Sequence, residues 1–208
     1  MELTTVILTG GASRRMGRDK GSLPVGEETL LEHLTRRWSG VFSGVAAAVG
    51  QHERPLPPGV RPLLDRYSGA GPMAGLEAGL SACPSGVFLT AVDMPFGDPA
   101  LARVLLQRLE GADVCLIRRK NGRLEPLFAV YGPGCLTPVR ESLERGERSF
   151  VYGLFPCVAV RAVEEGELPG FDLERILCNV NRPEDWAAVR PLLEKCGGET
   201  GIFGQTVV

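Results

Sequence analysis

Short apolar runs alternate with amphipathic stretches along the chain. Runs rich in Val, Ile, Leu and Phe predict strands, and apolar residues at helical spacing predict the helices between them. This alternation is typical of βα units around a mostly parallel sheet. We predict strands at residues 4–8, 41–49, 60–64, 86–92, 113–118, 125–131, 157–163 and 175–180, and helices at residues 29–39, 98–109, 134–145 and 183–195, with a further helix opened by the small residues 68–75.

Three local signals refine this arrangement. The run 86–92 is almost continuously apolar, which favours a central strand covered on both faces. Asn121-Gly122 predicts a turn between two antiparallel strands, and Pro191 predicts a kink in the last helix. The pattern predicts an α/β, Rossmann-like three-layer sandwich with a mostly parallel twisted sheet and an antiparallel edge pair. We expect one domain over residues 1–196 and a flexible, Gly-rich tail over residues 197–208.

Composition narrows the function classes. The 208 residues carry a net charge of −2 and a pI near 5.8, so no overall field favours nucleic acid or an anionic membrane as a partner. Six scattered cysteines without a C-x-x-C pair, and only two histidines, argue against a zinc site and a disulfide framework. The chain shows no signal peptide and no apolar run near ~20 residues, so we expect a cytoplasmic protein.

A Gly-rich, basic segment follows the first predicted strand and reads Leu8-Thr-Gly-Gly-Ala-Ser-Arg-Arg-Met-Gly-Arg-Asp-Lys20. Paired glycines Gly10 and Gly11 permit positive φ and close approach of a ligand, so the loop amides can cradle phosphate. Arg15 and Lys20 would neutralise phosphate charge. The spacing fits neither a P-loop nor a dinucleotide fingerprint. An ordinary βα turn with exposed basic residues is the alternative interpretation.

A second candidate is Asp93, which directly follows the strand predicted at 86–92. A carboxylate at the carboxyl end of a parallel strand projects into the crevice where open α/β sheets bind ligands. Asp93 could hold Mg²⁺ there, while a turn-forming Asp before Met-Pro is the simpler alternative.

Together these motifs resemble the molybdenum cofactor guanylyltransferases and their nucleotidyltransferase relatives, over nearly the whole chain. The resemblance rests on the Gly-rich loop, Asp65 before Gly71-Pro-Met-Ala-Gly75, Asp93-Met-Pro-Phe96, Glu125-Pro-Leu-Phe-Ala-Val-Tyr131 and Asn179-Val-Asn-Arg-Pro-Glu-Asp185. It implies an enzyme that transfers GMP from GTP, with Mg²⁺ held by Asp93, to the phosphate of molybdopterin or its molybdenum-bearing form. Pyrophosphate leaves, and a cofactor-delivery protein or recipient molybdoenzyme is an expected handover partner.

The resemblance also implies how the base is bound. Backbone groups from Leu8 and Thr9 through the paired glycines, together with Asp65, would contact the nucleotide. The family's Asn after the second strand is missing, because this chain reads Gly50-Gln51-His52, although Gln51 offers a similar amide. Gly-Gly in the loop favours guanine, since the related cytidylyltransferases usually read Ala-Ala-Gly or Ala-Gly there. The alternative that Asp65 is only a turn residue at the end of a strand stays open.

Residues for the acceptor are less specific. Arg119 and Arg123 belong to a basic cluster around the Asn121-Gly122 turn and could receive the pterin phosphate, or form a solvated hairpin tip. Asn179 and Asn181 would share one face of a strand and could touch the acceptor or metal waters. Alternatively, Asn181 caps the last helix.

Three rival functions stay open. A cytidylyltransferase for the same cofactor and a sugar- or alcohol-phosphate nucleotidyltransferase belong to the same enzyme class. A catalytically silent nucleotide-binding or delivery protein belongs to another class, and the presence of both Lys20 and Asp93 argues against it.

Overall fold

The computed structural model describes residues 2–9, 19–51 and 54–197. Its strands are β1 (Thr4–Leu8), β2 (Pro24–Val25), β3 (Glu28–Thr29), β4 (Val45–Ala48), β5 (Arg61–Leu63), β6 (Val87–Ala91), β7 (Val114–Arg118), β8 (Ala129–Tyr131) and β9 (Val160–Glu164). Its α-helices are α1 (Leu30–Trp38), α2 (Pro72–Ala82), α3 (Pro99–Gln107), α4 (Leu136–Glu144), α5 (Leu173–Ile176) and α6 (Pro183–Gly197).

The main sheet has seven strands in the order β5-β4-β1-β6-β8-β7-β9. All neighbouring pairs are parallel except those that β8 makes with β6 and β7. The predicted mostly parallel sheet, the central position of the strand at 86–92 and the antiparallel pair are therefore confirmed. The pair lies one strand inside the edge, because β9 adds in parallel to the outer side of β7.

Helices cover both faces of this sheet. A Cβ atom at Gly75 or Gly79 of α2 would contact Leu8 or Val6 of β1, so α2 lies on the face to which these side chains point. Trp38 of α1 packs instead on Phe88, with ring centroids 5.1 Å apart. Val6 pairs with Leu89 rather than with Phe88, and side chains alternate along a strand, so the two helices lie on opposite faces. The predicted three-layer α/β sandwich is confirmed.

Small residues let α2 approach the sheet closely, as predicted. The ideal Cβ at Gly75 would lie 2.4 Å from Leu8 Cδ2 and 3.1 Å from Ala48 Cβ. The helix begins after Gly71, whose φ of 65° suits glycine and which provides no side-chain cap. The N-terminal end of α2, which has no side-chain cap, lies nearest the carboxyl ends of β1 and β4.

Several predicted strands differ from the structure. The strand predicted at 41–49 is shortened to Val45–Ala48, and the one at 157–163 begins only at Val160. Residues 175–180 form no strand: α5 ends at Ile176, and a turn at Leu177 and irregular structure follow. The Asp172 carboxylate accepts the backbone N–H of Arg175, and this cap favours a helical turn that a short apolar run cannot distinguish from a strand. The strand predicted at 125–131 is shortened to Ala129–Tyr131, since Pro126 cannot donate to a ladder.

The remaining predictions concern the C-terminal part. The last helix is confirmed and extends to Gly197, with Pro191 inside it; the kink stays a prediction. Residues 198–208, the greater part of the predicted tail, lie outside the described residues. Within the part of the chain that the structure describes, no helix combines the length and apolar character needed to cross a membrane.

Candidate active site

The carboxyl ends of β1, β4 and β6 meet at one edge of the sheet. Thr9 continues β1 and its N–H and hydroxyl both donate to Ala48 O, each at 3.0 Å. Val92 continues β6 and donates to Leu8 O at 3.0 Å. Leu8 and Thr9, both predicted to bind nucleotide, therefore lie beside the turn that presents Asp93. The other predicted loop residues Gly10, Gly11 and Arg15 lie outside the described residues.

Three side chains distant in sequence converge at this edge. Lys20 Nζ donates to Asp93 Oδ2 at 3.3 Å and to Asn181 Oδ1 at 2.9 Å. The side chains of Lys20 and Asp93 are only 14% and 22% exposed, so this ion pair is partly shielded from water. Two of the three predicted catalytic residues and one predicted acceptor residue thus form a single polar cluster.

Asp93 retains one oxygen for another ligand. Its Oδ1 atom is buried and has no hydrogen-bond partner among the described residues. A buried carboxylate oxygen without a donor is costly unless a ligand completes it, and Mg²⁺ is commonly bound by one or two carboxylates together with phosphates and water. The donor set at Asp93 therefore fits such a cation, although the described residues contain no group of three His, Cys, Asp or Glu side chains suited to a metal.

The segment that carries Asn181 is fixed from two sides. Val180 N–H donates to Asp93 O at 2.8 Å, which ties the segment to the turn after β6. The Asp185 carboxylate accepts the N–H groups of Asn181 and Arg182 at 2.9 and 2.8 Å, and these bonds hold the pKa of Asp185 below its ordinary value. The Asp185 carboxylate thereby holds the backbone that leads into α6, and the Asn181 side chain is left to contact Lys20.

Asn179 is placed differently from the expectation. Because residues 178–181 form no regular strand, the argument that Asn179 and Asn181 share a strand face is wrong. The Asn179 amide donates to Leu177 O at 3.2 Å, and no bond among the described residues joins it to Lys20 or Asp93. The structure therefore brings Asn181, and not Asn179, into the cluster.

Arg54 connects the two described ends of the Gly-rich segment. Its guanidinium donates to Thr9 O at 3.0 Å and forms an ion pair with Asp19. Asp19 also caps the short 3₁₀ turn Lys20–Ser22 by accepting the N–H of Gly21 at 3.1 Å. Arg54 therefore fixes the backbone on both sides of residues 10–18 and, through Asp19, the turn from which Lys20 extends.

Asp65 lies at the same edge, after β5, and two strands, β4 and β1, separate β5 from β6. Its N–H donates to Gly50 O at 2.7 Å, and its Oδ1 atom is buried without a partner among the described residues. Burial, and secondly the charge of Glu77, raises the pKa of Asp65 to about 6. Nearby, Gln51 Oε1 accepts the hydroxyl of Ser68 at 2.9 Å, which orients the amide proposed to replace the missing Asn.

The basic hairpin after β7 is neutralised by carboxylates. Arg119 forms ion pairs with Glu174, with Glu165 at 2.9 Å and with Glu125 at 3.9 Å. Arg123 lies 3.5 Å from the same Glu125. Two strands, β6 and β8, separate β7 from β1, a lateral distance of about 14 Å at ordinary strand spacing. A phosphate that reaches these arginines would have to exchange with carboxylates already in place.

The sequence matches the family described as "MobA-like NTP transferase domain" over residues 5–158. The chain belongs to this family. The matched region contains the Gly-rich segment, Lys20, Asp65 and Asp93. Membership in the MobA-like family confirms the resemblance inferred from the motifs and the prediction of a nucleotidyltransferase.

Relatives of the MobA-like family extend the match beyond residue 158. A protein of Pelotomaculum thermopropionicum named "Probable molybdenum cofactor guanylyltransferase" is 38% identical over 196 residues, covering 93% of this chain and 95% of the relative. A protein of Mycobacterium bovis with the same name is 40% identical over 190 residues, covering 86% and 89%. The solved molybdopterin-guanine dinucleotide biosynthesis protein A of Archaeoglobus fulgidus superposes with a TM-score of 0.78 at 24% identity, covering 93% of this chain and 100% of that one. The last comparison confirms the fold.

Two residues of this MobA-like site were not predicted from the sequence. Arg54 is an isolated arginine in a proline-rich stretch, and its contacts with Thr9 and Asp19 depend on how the chain folds. Glu77 lies within an apolar helix and is completely buried, where Arg140 donates to it at 2.8 Å. A glutamate in an otherwise apolar helical stretch could have been recognised from the sequence. Such a residue is rarely buried unless it is paired, so it predicts a buried ion pair.

Proposed function

We propose that the protein transfers GMP from GTP to the phosphate of molybdopterin or of its molybdenum-bearing form and releases pyrophosphate. The observation that carries the proposal is the convergence of Lys20, Asp93 and Asn181 at the carboxyl edge of the sheet. The names of relatives that match nearly the whole chain support guanine and the pterin acceptor. A cytoplasmic location and a handover protein belong to the same proposal.

In this proposal Asp93 holds Mg²⁺ through its unpartnered Oδ1 atom. When bound, Mg²⁺ supplies neutralisation of phosphate charge. Lys20 exchanges its contact with Asp93 for the α-phosphate, where charge grows in the transition state, so its contribution is larger for the transition state than for bound GTP. Arg15 and the Gly10-Gly11 amides complete the phosphate cradle. The chemistry is positioning and charge neutralisation, without a covalent enzyme intermediate.

Asp65 recognises the base in this scheme. An ionised carboxylate accepts two N–H donors from guanine, whereas cytosine presents a different pattern of donors and acceptors. Asn181 stands beside Lys20 and is well placed to orient the acceptor phosphate. Asn179, Arg119 and Arg123 complete the proposed acceptor site.

The test is turnover by purified protein supplied with Mg²⁺, molybdopterin and each of GTP, CTP, ATP and UTP. We expect pyrophosphate release and a guanine dinucleotide product with GTP alone. Asp93→Ala should abolish turnover and retain the wild-type circular dichroism spectrum, whereas Glu141→Ala, at an exposed position, should retain full activity.

Other outcomes distinguish the rivals. Turnover with CTP would identify a cytidylyltransferase. Turnover with a sugar phosphate but not with molybdopterin would show that the acceptor is a sugar phosphate. Nucleotide binding without pyrophosphate release under all conditions would identify a silent binding protein. Wild-type rates in Asp93→Ala would overturn the metal assignment.

A further inference from the structure

The loop at residues 66–70, which we name the base loop, lies beside two side chains expected to meet the base. It follows Asp65 directly and ends before Gly71, from which α2 begins. Asp65 N–H donates to Gly50 O at 2.7 Å, so the residue before the base loop is tied to the residue before Gln51. Asp65 and Gln51 therefore lie close together, at the carboxyl ends of β4 and β5.

A hydroxyl of the base loop fixes the Gln51 side chain. Ser68 Oγ donates to Gln51 Oε1 at 2.9 Å, and this bond joins residues 17 positions apart. An amide whose oxygen already accepts a bond presents its NH₂ group as the free end. Within residues 2–9, 19–51 and 54–197, no acceptor is bonded to that NH₂ group, and Gln51 is exposed. Gln51 therefore offers N–H donors to a ligand at this edge.

An arginine far along the chain anchors the base loop. Arg148 donates to Gly69 O at 2.8 Å across 79 positions of sequence. Gly69 follows Ser68 directly and has a φ of 63°, which glycine adopts readily. The backbone of Arg148 is itself held, because Glu147 Oε1 accepts the N–H groups of Arg148 and Ser149, both at 2.8 Å. A charge-assisted bond from outside the loop thus sets the position of Ser68.

These two bonds lie at the surface of the protein. Ser68, Gln51 and Arg148 are all exposed. Exposed polar contacts contribute little to folding, because water replaces them when they are lost. A glutamine side chain has several rotatable bonds, so without Ser68 its amide would sample both orientations. Loss of Ser68 should therefore change the orientation of the Gln51 amide more than it changes stability.

The carboxylate of Asp65 and the amide of Gln51 offer a pattern that matches one class of base. Asp65, which recognises the base in the proposed function, supplies acceptors, and Gln51 supplies donors. Guanine presents the reverse on one edge, where the N1–H and 2-amino donors stand next to the 6-oxo acceptor. Adenine carries a 6-amino donor where guanine has its 6-oxo group. A Gln51 amide held with its NH₂ group free therefore favours a 6-oxopurine over a 6-aminopurine.

We propose that Ser68 determines base specificity by holding the Gln51 amide with its NH₂ group towards the ligand, so that the site selects a 6-oxopurine. Ser68 acts through Gln51, and Arg148 acts through Ser68, so both are positioning residues. The inference rests on the proposed function, in which Asp65 recognises the base. The base site then has two separate tasks: Asp65 reads the N–H donors of the ring, and Gln51 reads its 6-oxo group.

Two analogues of GTP separate these tasks. 6-Thio-GTP keeps the N1–H and 2-amino groups but replaces the 6-oxo oxygen by sulfur, a weaker acceptor, whereas ITP lacks only the 2-amino group. Calorimetric titration in the presence of Mg²⁺ measures each affinity without any GMP transfer. We expect the parent to bind GTP about tenfold more tightly than 6-thio-GTP, and Ser68→Ala to reduce this preference to about threefold or less. The preference for GTP over ITP should be the same in both proteins.

Matched variants test the path from Arg148 to the base. Ser68→Thr keeps the hydroxyl and should keep the preference for GTP over 6-thio-GTP. Gln51→Ala should lose that preference, and the double variant with Ser68→Ala should lose no more than Gln51→Ala alone. Arg148→Ala should reduce the preference about twofold, whereas Arg145→Ala, at another exposed arginine, should not. Urea midpoints should stay close to that of the parent in every variant.

Several results would overturn the role of Ser68. They are a parent protein without the preference for GTP over 6-thio-GTP, an unchanged preference in Ser68→Ala, and an equal loss of affinity for all three nucleotides in that variant. Transfer of GMP by a protein that gives one of these results would reject the inference alone. A preference that depends on Ser68, without any transfer to molybdopterin, would reject the proposed function alone. Absence of binding by all three nucleotides would reject both.

Discussion

The ammonium group of Lys20 lies 3.3 Å from the carboxylate of Asp93, although the two residues are 73 positions apart in the chain. The Gly-rich segment presents one residue and the end of β6 the other. Both side chains are largely shielded from water, and the carboxylate keeps its second oxygen unpaired. In the proposed reaction, Asp93 would hold Mg²⁺ and Lys20 would exchange Asp93 for the phosphate of the bound nucleotide.

This relationship predicts strong coupling between the two residues. Lys20→Met and Asp93→Asn should each lower kcat/KM for GTP by about 10²–10³, and the double variant should lose little more than either single one. Steady-state kinetics on the four proteins measures the coupling. The exposed Lys195 provides a control, since Lys195→Met should leave the rate unchanged. Independent, multiplicative losses would contradict a cluster that acts as a unit.

The raised pKa of Asp65 predicts pH-dependent stability. Burial raises this pKa from 3.8 to about 6, so the native state binds more protons than the unfolded chain between about pH 4 and pH 6. The stability from this group is fully present below about pH 4 and is lost as the pH rises through 6. Asp65→Asn should therefore be more stable than the parent at pH 7, by up to about 3 kcal/mol, and similar to it at pH 4.

Urea unfolding of both proteins from pH 4 to pH 7 measures this difference. Glu141→Gln, at an exposed position, is the control and should follow the parent throughout. If Asp65 also recognises guanine as an ion, the affinity of the parent for GTP should fall below about pH 6. A stability difference that is the same at pH 4 and pH 7 would show that Asp65 does not titrate in this window.

We expect the loss of Arg54 to affect nucleotide binding rather than folding. Arg54→Ala removes the link between Thr9 and Asp19 and should weaken GTP binding by about tenfold with a small change in the urea midpoint. Arg54→Lys should restore only part of the loss, because an ammonium group cannot reach both partners as a planar guanidinium does. Calorimetric titration with GTP measures the effect, and the exposed Arg61→Ala serves as control. Wild-type affinity in Arg54→Ala would show that the loop needs no such link.

The sequence predicted the layers of the fold because apolar runs and amphipathic stretches alternate along most of the chain. The strand at 4–8 and the helix capped by Thr29 match the structure closely, since the first is rich in β-branched residues and the second carries a complete capping box. The strand predicted at 175–180 was wrong, because the apolar run there is too short to distinguish a strand from a helix. The Asp172 cap, three positions before that segment begins, favours the helical turn found there.

In the candidate site, too, some features were predictable from the sequence and others were not. Lys20 and Asp93 stand in motifs that follow predicted strands, so their position at the carboxyl edge of the sheet was predictable from the sequence. The pairing of Arg119 with Glu165 and Glu174 was not, because it joins residues 46 and 55 positions apart through the order of strands in the sheet. Sequence signals locate charges along a chain, while the fold determines which of them neutralise one another.

The close approach of α2 to β1 gives a final prediction, in which two similar changes have different effects. In an open helix, Gly→Ala stabilises by about 1 kcal/mol. At Gly75 the new methyl group would lie 2.4 Å from Leu8 Cδ2 and 3.1 Å from Ala48, whereas at Gly79 the nearest atom, of Val6, lies at 3.1 Å. We therefore expect Gly75→Ala to destabilise the protein by roughly 1–3 kcal/mol and Gly79→Ala to be nearly neutral.

Urea midpoints at constant m-value measure this difference. Gly75→Ala should also weaken GTP binding, because Leu8 must shift and it leads directly into the Gly-rich segment. Gly79→Ala is the matched control, since it lies one helical turn further from the carboxyl edge on the same face of α2. If Gly75→Ala is as stable as Gly79→Ala, then Leu8 moves aside at little cost. Nucleotide affinity then decides whether that movement disturbs the site.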